Sequence, residues 1–276
     1  MCTLVILRRP SSSVPVVIGA NRDEMVSRPW RPPARHWPDR PHVIGGIDDV
    51  AGGTWMGIND HGVVACILNR EGTLGPAEGK RSRGELVLDT LDYPDARDAA
   101  AALAYLNGEA YRAFNLVIAD NTEAYWVRNA GGTEDSIGNF SDRGSDVVSV
   151  HPIPEGLSFL TAFDIDDPRS KRTQIYRDRF VNAVVPDLID GDWSAWAELL
   201  GSADLAGETD PRAAMCVTTQ NGFETVNSSL ISLEAPVDPP HPALGLADVG
   251  EKPLGVIWRF AAGKPNAVPY EPVDLT

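Results

Sequence analysis

The apolar positions change period several times along the chain, and those changes lay out the elements. Residues 2–8 and 14–20 are short apolar runs rich in β-branched side chains, separated by Pro10-Ser11-Ser12-Ser13. Such runs around a turn-forming stretch predict an opening β-hairpin. Residues 28–41 carry five prolines, which exclude a helix and predict an ordered surface loop. The glycine-punctuated segment 45–57 and the run 62–68 predict two further strands, joined at the turn-type sequence Asn59-Asp60-His61-Gly62. Helical spacing then takes over. Leu86, Leu88 and Leu91 within residues 82–91, and Ala99, Leu103 and Leu106 within residues 95–106, mark two helices separated at Pro94. Strands are predicted at 114–119 and 123–128, with shorter ones at 147–150 and 157–160. Residues 169–184 read as an amphipathic helix with Ile175, Tyr176, Phe180 and Val184 on one side. A further helix at 193–200 has Asp192 as its expected N-cap. Strands return at 213–219, 225–233 and 254–261, with loops at 204–211 and 236–242 and a proline-rich tail.

Strands, two helices, strands, two helices and strands again do not make alternating βαβ units, so a parallel doubly wound sheet is excluded. Blocks of hairpins with paired helices suit an α+β fold, two packed antiparallel sheets covered by helices on both outer faces. No repeat and no long polar linker divides residues 1–276, which predicts a single domain.

Composition adds limits. With 43% hydrophobic and 23% charged residues the chain is of ordinary globular type. A net charge of −15 repels phosphate backbones and anionic lipid heads, so nucleic acid is not an expected partner. A local basic pocket can still hold a small anion. Three scattered cysteines, with no C-x-x-C pair, form no disulfide framework, and five histidines without i,i+4 spacing make no legible metal site. The first apolar run is short and meets Arg8 and Arg9 only afterwards, the reverse of a secretory signal. No stretch reaches the ~18 apolar residues of a membrane helix, so no stable membrane insertion is expected. The expected compartment is the cytoplasm.

Cys2 is the most informative position. An initiator Met is removed when the next residue is small, which leaves an N-terminal cysteine. That residue carries a nucleophilic sulfur and an α-amine of pKa ~7.7–8.0 able to take the thiol proton. The hairpin returns Asn21-Arg22-Asp23-Glu24 beside it. A carboxylate there can orient the ammonium, and an arginine can hold a thiolate or a substrate carboxylate. Trp55 can line an apolar pocket, and Gly79-Lys80-Arg81-Ser82-Arg83 is a basic loop before a helix. Cys66 and Cys216 lie within apolar runs and read as packed and inert.

Met1-Cys2-Thr3, Asn21-Arg22-Asp23-Glu24, Arg28-Pro29, Gly46, Asp48, the run Ala51-Gly52-Gly53-Thr54-Trp55-Met56-Gly57 and Leu68-Asn69-Arg70 together resemble the Asn-Arg-Asp-Glu (NRDE) family. That is the group of the transport and Golgi organisation proteins, placed with the N-terminal nucleophile hydrolases. The resemblance implies a four-layer αββα sandwich. The same block is similar to cysteine amidases of the penicillin V acylase and bile-salt hydrolase type. That similarity implies Cys2 as nucleophile, Asp23 as the residue orienting its amine and Asn69 as an active-site polar residue. Asn21, Arg22, Trp55 and Arg70 are the expected substrate-binding residues. The chain departs from the amidase pattern at Ala20, where an arginine is expected. It also lacks an asparagine near residues 160–162 and an arginine near 225–227. The resemblance therefore implies either an amide or acyl hydrolase on a small-molecule substrate, without a cofactor, or a non-catalytic protein handling haem or lipid. In the haem case Cys2 is the possible thiolate ligand.

Overall fold

The computed structural model describes residues 2–131, 148–186, 192–236 and 255–276. The chain opens with strands β1 (Thr3–Arg8) and β2 (Val16–Met25), the expected hairpin, paired from Thr3 against Asn21 to Arg8 against Val16. Strands β3 (Trp30–Ala34), β4 (Val43–Asp48), β5 (Met56–Asn59) and β6 (Val64–Asn69) follow. Helices α1 (Arg83–Thr90) and α2 (Ala96–Leu103) come next, α2 capped by the Asp95 side chain accepting from the Asp98 amide. After them run β7 (Phe114–Ala119), β8 (Ala124–Asn129), β9 (Val148–Pro152) and β10 (Gly156–Leu160). Helices α3 (Lys171–Asn182) and α4 (Ser194–Leu200) lead to β11 (Phe223–Leu233), β12 (Val256–Ala261) and the short β13 (Glu271–Pro272).

The strands form two antiparallel sheets. One has the order β10-β1-β2-β11-β12-β13, the other β3-β4-β5-β6-β7-β8-β9. Strand alternation sorts the side chains between three buried layers. Leu4, Ile6, Ile18 and Ile231 of the first sheet meet Ile44, Met56, Cys66 and Val117 of the second in the central layer. The opposite parity, Val5, Val17, Phe159 and Leu230, packs under Tyr176, Phe180, Trp196 and Leu200 of α3 and α4. On the other flank Ala65, Ile67, Leu116 and Ile118 lie under Leu86, Val87, Ala99 and Leu103 of α1 and α2. Three apolar interfaces separate four layers, and the α+β sandwich αββα expected from the sequence is the architecture observed. Among the described residues no helix is long and apolar enough to cross a membrane.

Several boundaries differ from the sequence expectation. Residues 28–41 are not wholly loop, because β3 lies inside them. Its Pro32 and Pro33 are tolerated because β3 is an edge strand, pairing on one side with β4 alone. Residues 213–219 form no strand. Ala213, Met215 and Val217 are buried, but among these residues only Thr218 makes a bridge, a single one to Glu224. Helix α3 starts after a Ser170 cap and stops at Asn182, which leaves Val184 73% exposed. Trp193 takes the N-cap position of α4, while Asp192 accepts from the Ser194 amide. Residue 147, residue 254 and the loop past residue 236 lie outside the described residues.

Candidate active site

The hairpin register places the site. Thr3 pairs with Asn21, and one further step of that register sets Cys2 opposite Arg22. Cys2 is half-buried, packs its sulfur side against the central layer, and has Sγ 3.7 Å from the Asp23 carbonyl oxygen. Burial pushes the thiol pKa up, the Asp23 carboxylate pushes it further, and the Arg22 guanidinium works the other way. By contrast Cys66 and Cys216 are buried, and burial raises both thiols.

Asp23 has the parity that faces α3. Its carboxylate accepts from Thr225 Oγ1 at 2.6 Å and from Arg172 Nη1 at 3.0 Å. The Asp23 and Arg172 side chains are 0% and 3% exposed, so this ion pair is removed from water. Arg172 also donates to Thr3 Oγ1 and, through Nη2 at 3.0 Å, to the Arg212 carbonyl oxygen. One guanidinium therefore fixes the start of β1, the carboxylate on β2 and the segment after α4. Thr225 reaches Asp23 because the pairing of β11 with β2 slips between Thr225 and Asn227. This bulge turns Thr225 toward Asp23 on the helix side and leaves Asn227 opposite Arg22 on the central side.

Arg22 is 6% exposed. Its Nη2 donates to Asp48 Oδ2 at 2.9 Å, and its guanidinium carbon lies 4.1 Å from the centre of the Trp55 ring. Asp48 is itself held by Arg28 at 2.6 Å and accepts from the Val50 and Ala51 amides. Its pKa lies below the ordinary carboxylate value: burial works upward, but the Arg28 hydrogen bond and the Ala51 amide outweigh it. Gly46 gives Trp55 room, since a Cβ there would stand 2.3 Å from a ring carbon. Gly53 similarly lets its backbone approach Gly84, where a Cβ would meet the carbonyl carbon at 2.5 Å. The motif residues Arg28, Gly46, Asp48 and Trp55 thus share one structural task, the seating of Arg22.

Cys2 lies where three cavities meet. A cleft of about 990 Å³ is lined by Cys2, Asp23, Asn69, Arg70, Thr161 and Arg172 among others. A second, of about 630 Å³, runs past Cys2, Arg22, Trp55 and Asn69 to the basic loop at Lys80 and Arg81. A third, of about 10 Å³, lies behind Cys2 between Arg22, Trp55, Cys66 and Asn227. Asn69, at the end of β6, borders both large clefts and has no side-chain hydrogen bond among the described residues. Arg70 lines the larger cleft while bound to Asn115 and Asp164, each at 2.7 Å. Asn21 departs from expectation. It is buried with its Nδ2 on the Leu200 and Met215 carbonyl oxygens at 2.9 and 3.0 Å, so its side chain ties α4 to the sheet and does not face a substrate. Arg172, Thr225 and Asn227 escaped the sequence reading. The sign for Arg172 was a charge at the i−4 position of the buried Tyr176 and Phe180 stripe. For Asn227 it was a polar residue in phase with the apolar Ile231 and Leu233.

A family model described as Transport and Golgi organisation 2 matches residues 1–177. The chain belongs to that family. A bovine Transport and Golgi organization protein 2 homolog is 36% identical over 115 residues, 38% of each chain. The human homolog is 32% identical over 149 residues, 52% of this chain and 50% of that one. The chain thus spans half or less of the length of these curated relatives. Among solved structures, a Caenorhabditis elegans N-acylethanolamine-hydrolyzing acid amidase ortholog aligns with TM-score 0.47 and 13% identity, over 83% of this chain and 92% of that one. The C2A mutant of a Clostridium perfringens conjugated bile acid hydrolase aligns with TM-score 0.45 and 13% identity, over 99% and 97%. Cys2, Arg22, Asp23, Trp55, Asn69 and Arg172 fall inside the segment shared with the family, whereas Thr225 and Asn227 lie beyond residue 177.

Proposed function

We propose that the protein is an N-terminal-cysteine hydrolase of an amide or related acyl bond in a small molecule. The observation that carries this reading is the position of Cys2. Cys2 is half-buried at the meeting point of the clefts, its sulfur 3.7 Å from the carbonyl oxygen of Asp23, a residue whose carboxylate accepts from Thr225 and Arg172. With Met1 removed, the α-amine of Cys2 takes the thiol proton as the sulfur attacks the acyl carbon, and returns it to the leaving amine. Asp23 orients the resulting ammonium, and its own seat on Arg172 and Thr225 keeps it from turning away. Asn69, unpaired and facing both clefts, donates to the acyl oxygen. Water then cleaves the thioester and regenerates the thiol.

The raised thiol pKa fits this division of labour. A thiol that stays protonated until an adjacent amine removes its proton reacts when a substrate is in place and resists adventitious oxidation. Haem ligation is a poorer fit to the same residues. Burial and the Asp23 charge both oppose the Cys2 thiolate that a haem iron would need, and no histidine borders these cavities among the described residues.

A panel of amides, lactams and acyl thioesters tests the reading. Turnover is expected for at least one class, and Cys2→Ala is expected to remove it. Hydrolysis that continues at the wild-type rate in Cys2→Ala would dismiss Cys2 as nucleophile. A haemin titration whose Soret band shifts in wild type but not in Cys2→Ala would favour the ligand role instead.

A further inference from the structure

The small cavity behind Cys2 has a chemistry that the mechanism above leaves unused. Two of its walls are buried nitrogen donors with no hydrogen-bond partner among the described residues: Arg22 Nη1 and Asn227 Nδ2. Both side chains are more than nine-tenths buried, Arg22 at 6% and Asn227 at 1% exposed. A buried donor left unmade costs about 1–3 kcal/mol, more when charged, so two of them side by side need an acceptor. Elsewhere in the lining Trp55, Met56, Cys66 and Leu68 carry no side-chain oxygen, the Thr3 and Ser229 hydroxyls already accept from Arg172 and Trp258, and the Asn21 side chain is turned to α4 by its bonds to Leu200 and Met215. The seating of Arg22 explains why Nη1 stays free. Asp48 engages Nη2, Trp55 covers the guanidinium face, and the fork has nowhere else to turn. The β11 bulge delivers Asn227 to the opposite side. At about 10 Å³ the cavity has room for one oxygen-sized group.

We infer that Arg22 Nη1 and Asn227 Nδ2 form the oxyanion pocket of this site. The inference rests on the hydrolase reading and adds two catalytic donors to it. As Cys2 Sγ bonds to the acyl carbon, the carbonyl π pair moves onto oxygen. The oxyanion enters the cavity and accepts from both donors, while Asn69 contributes from the cleft side. When the carbonyl re-forms, the leaving group departs with the proton held by the α-ammonium, and Cys2 is left as a thioester. Arg22 supplies positive charge and Asn227 a neutral dipole from buried donor atoms, where such donors act most strongly. This chain lacks the arginines of the amidase pattern at Ala20 and near residues 225–227. Here Arg22, two residues along β2 and therefore on the same sheet face as Ala20, carries the only guanidinium lining this cavity among the described residues.

Two reactions at the same sulfur separate this role from a general effect on the thiol. Acylation of Cys2 by p-nitrophenyl acetate passes through a tetrahedral oxyanion and releases p-nitrophenolate. Alkylation by iodoacetamide displaces iodide and forms no oxyanion. Both are followed by intact mass and by mapping of the N-terminal peptide. Asn227→Leu is expected to slow acylation by roughly 100-fold or more, the usual cost of removing one such donor, with alkylation changed by less than about twofold. Asn227→Asp keeps the shape, replaces the donor by an acceptor, and is expected to act in the same direction if the leucine variant does not fold. Equal losses in both reactions, or no loss in either, would overturn the assignment. It is also overturned if Thr161→Val, which removes the unpartnered Oγ1 at the large cleft, slows acylation and Asn227→Leu does not. Wild-type protein whose Cys2 alkylates but never acylates would instead reject the hydrolase reading, and this inference with it.

Discussion

Replacing Arg172 with methionine removes a cation paired with a buried carboxylate while keeping much of the aliphatic bulk. Asp23 is 0% exposed and keeps the Thr225 hydroxyl at 2.6 Å, but it loses its charge-assisted bond at 3.0 Å. Removing one partner of a buried pair costs about 3–5 kcal/mol, because the remaining charge stays in a poor solvent. At roughly 2–4 °C per kcal/mol for a chain of this size, Tm falls by roughly 6–20 °C. The companion variant Asp23→Asn removes the charge that Arg172 faces. The double variant Arg172→Met/Asp23→Asn leaves neither charge, and is expected to recover 1.5 kcal/mol or more of the single-variant sum by the ordinary coupling of contacting residues, ~0.5–3 kcal/mol. Urea denaturation with an unchanged m-value is the measurement. The reasoning is refuted if Arg172→Met costs less than about 1 kcal/mol, or if the two losses simply add.

Further predictions follow from the same contacts. Native protein treated with iodoacetamide is expected to label at Cys2 and to leave the buried Cys66 and Cys216 unmodified; three labelled thiols would contradict the packing described. Burial and Asp23 raise the Cys2 thiol, whereas the chain amine, the Asp23 backbone hydrogen bond and Arg22 lower it, and the pH profile of alkylation reads the balance. Asp23→Asn removes one raising cause, so its inflection moves down and alkylation at pH 8 quickens; a slower reaction would reverse the sign. Thr225→Val deletes a hydrogen bond to the buried Asp23 carboxylate and is expected to cost about 1.5–3 kcal/mol, with Thr225→Ser restoring most of it in thermal melts. Gly46→Ala drives a methyl group into the Trp55 ring, for an expected 1–3 kcal/mol of overpacking and a shifted tryptophan emission; unchanged emission would mean that Trp55 is not held as described.

Much of the layer arrangement was legible from phase alone. In β1 and β2, the even positions Leu4, Ile6 and Ile18 face the central layer and the odd positions Val5 and Val17 face the helices, as strict alternation requires. The hairpin placed Asn21 to Glu24 beside Cys2 because only a short connection separates the two strands. What was not legible depends on long-range packing. Nothing local marks the slip at Thr225 and Asn227, yet it decides which residue meets Asp23 and which meets Arg22. Asn21 shares the motif with Arg22 and Asp23, but its parity aims it at α4. Residues 213–219 have strand composition without joining a ladder, and the buried Met215 packs instead with Trp196 and Leu200 of α4. The prolines of residues 28–41 argued correctly against a helix. They could not show that an edge position tolerates them in a strand.

The most direct test is acid-quenched mass spectrometry of the N-terminal peptide while an acyl substrate is being consumed. The peptide is expected to begin at Cys2, with Met1 gone, and to carry the acyl group on sulfur during the steady state. A retained Met1, or substrate consumed with the acyl group on some other residue, would contradict a nucleophile and base housed in one terminal cysteine.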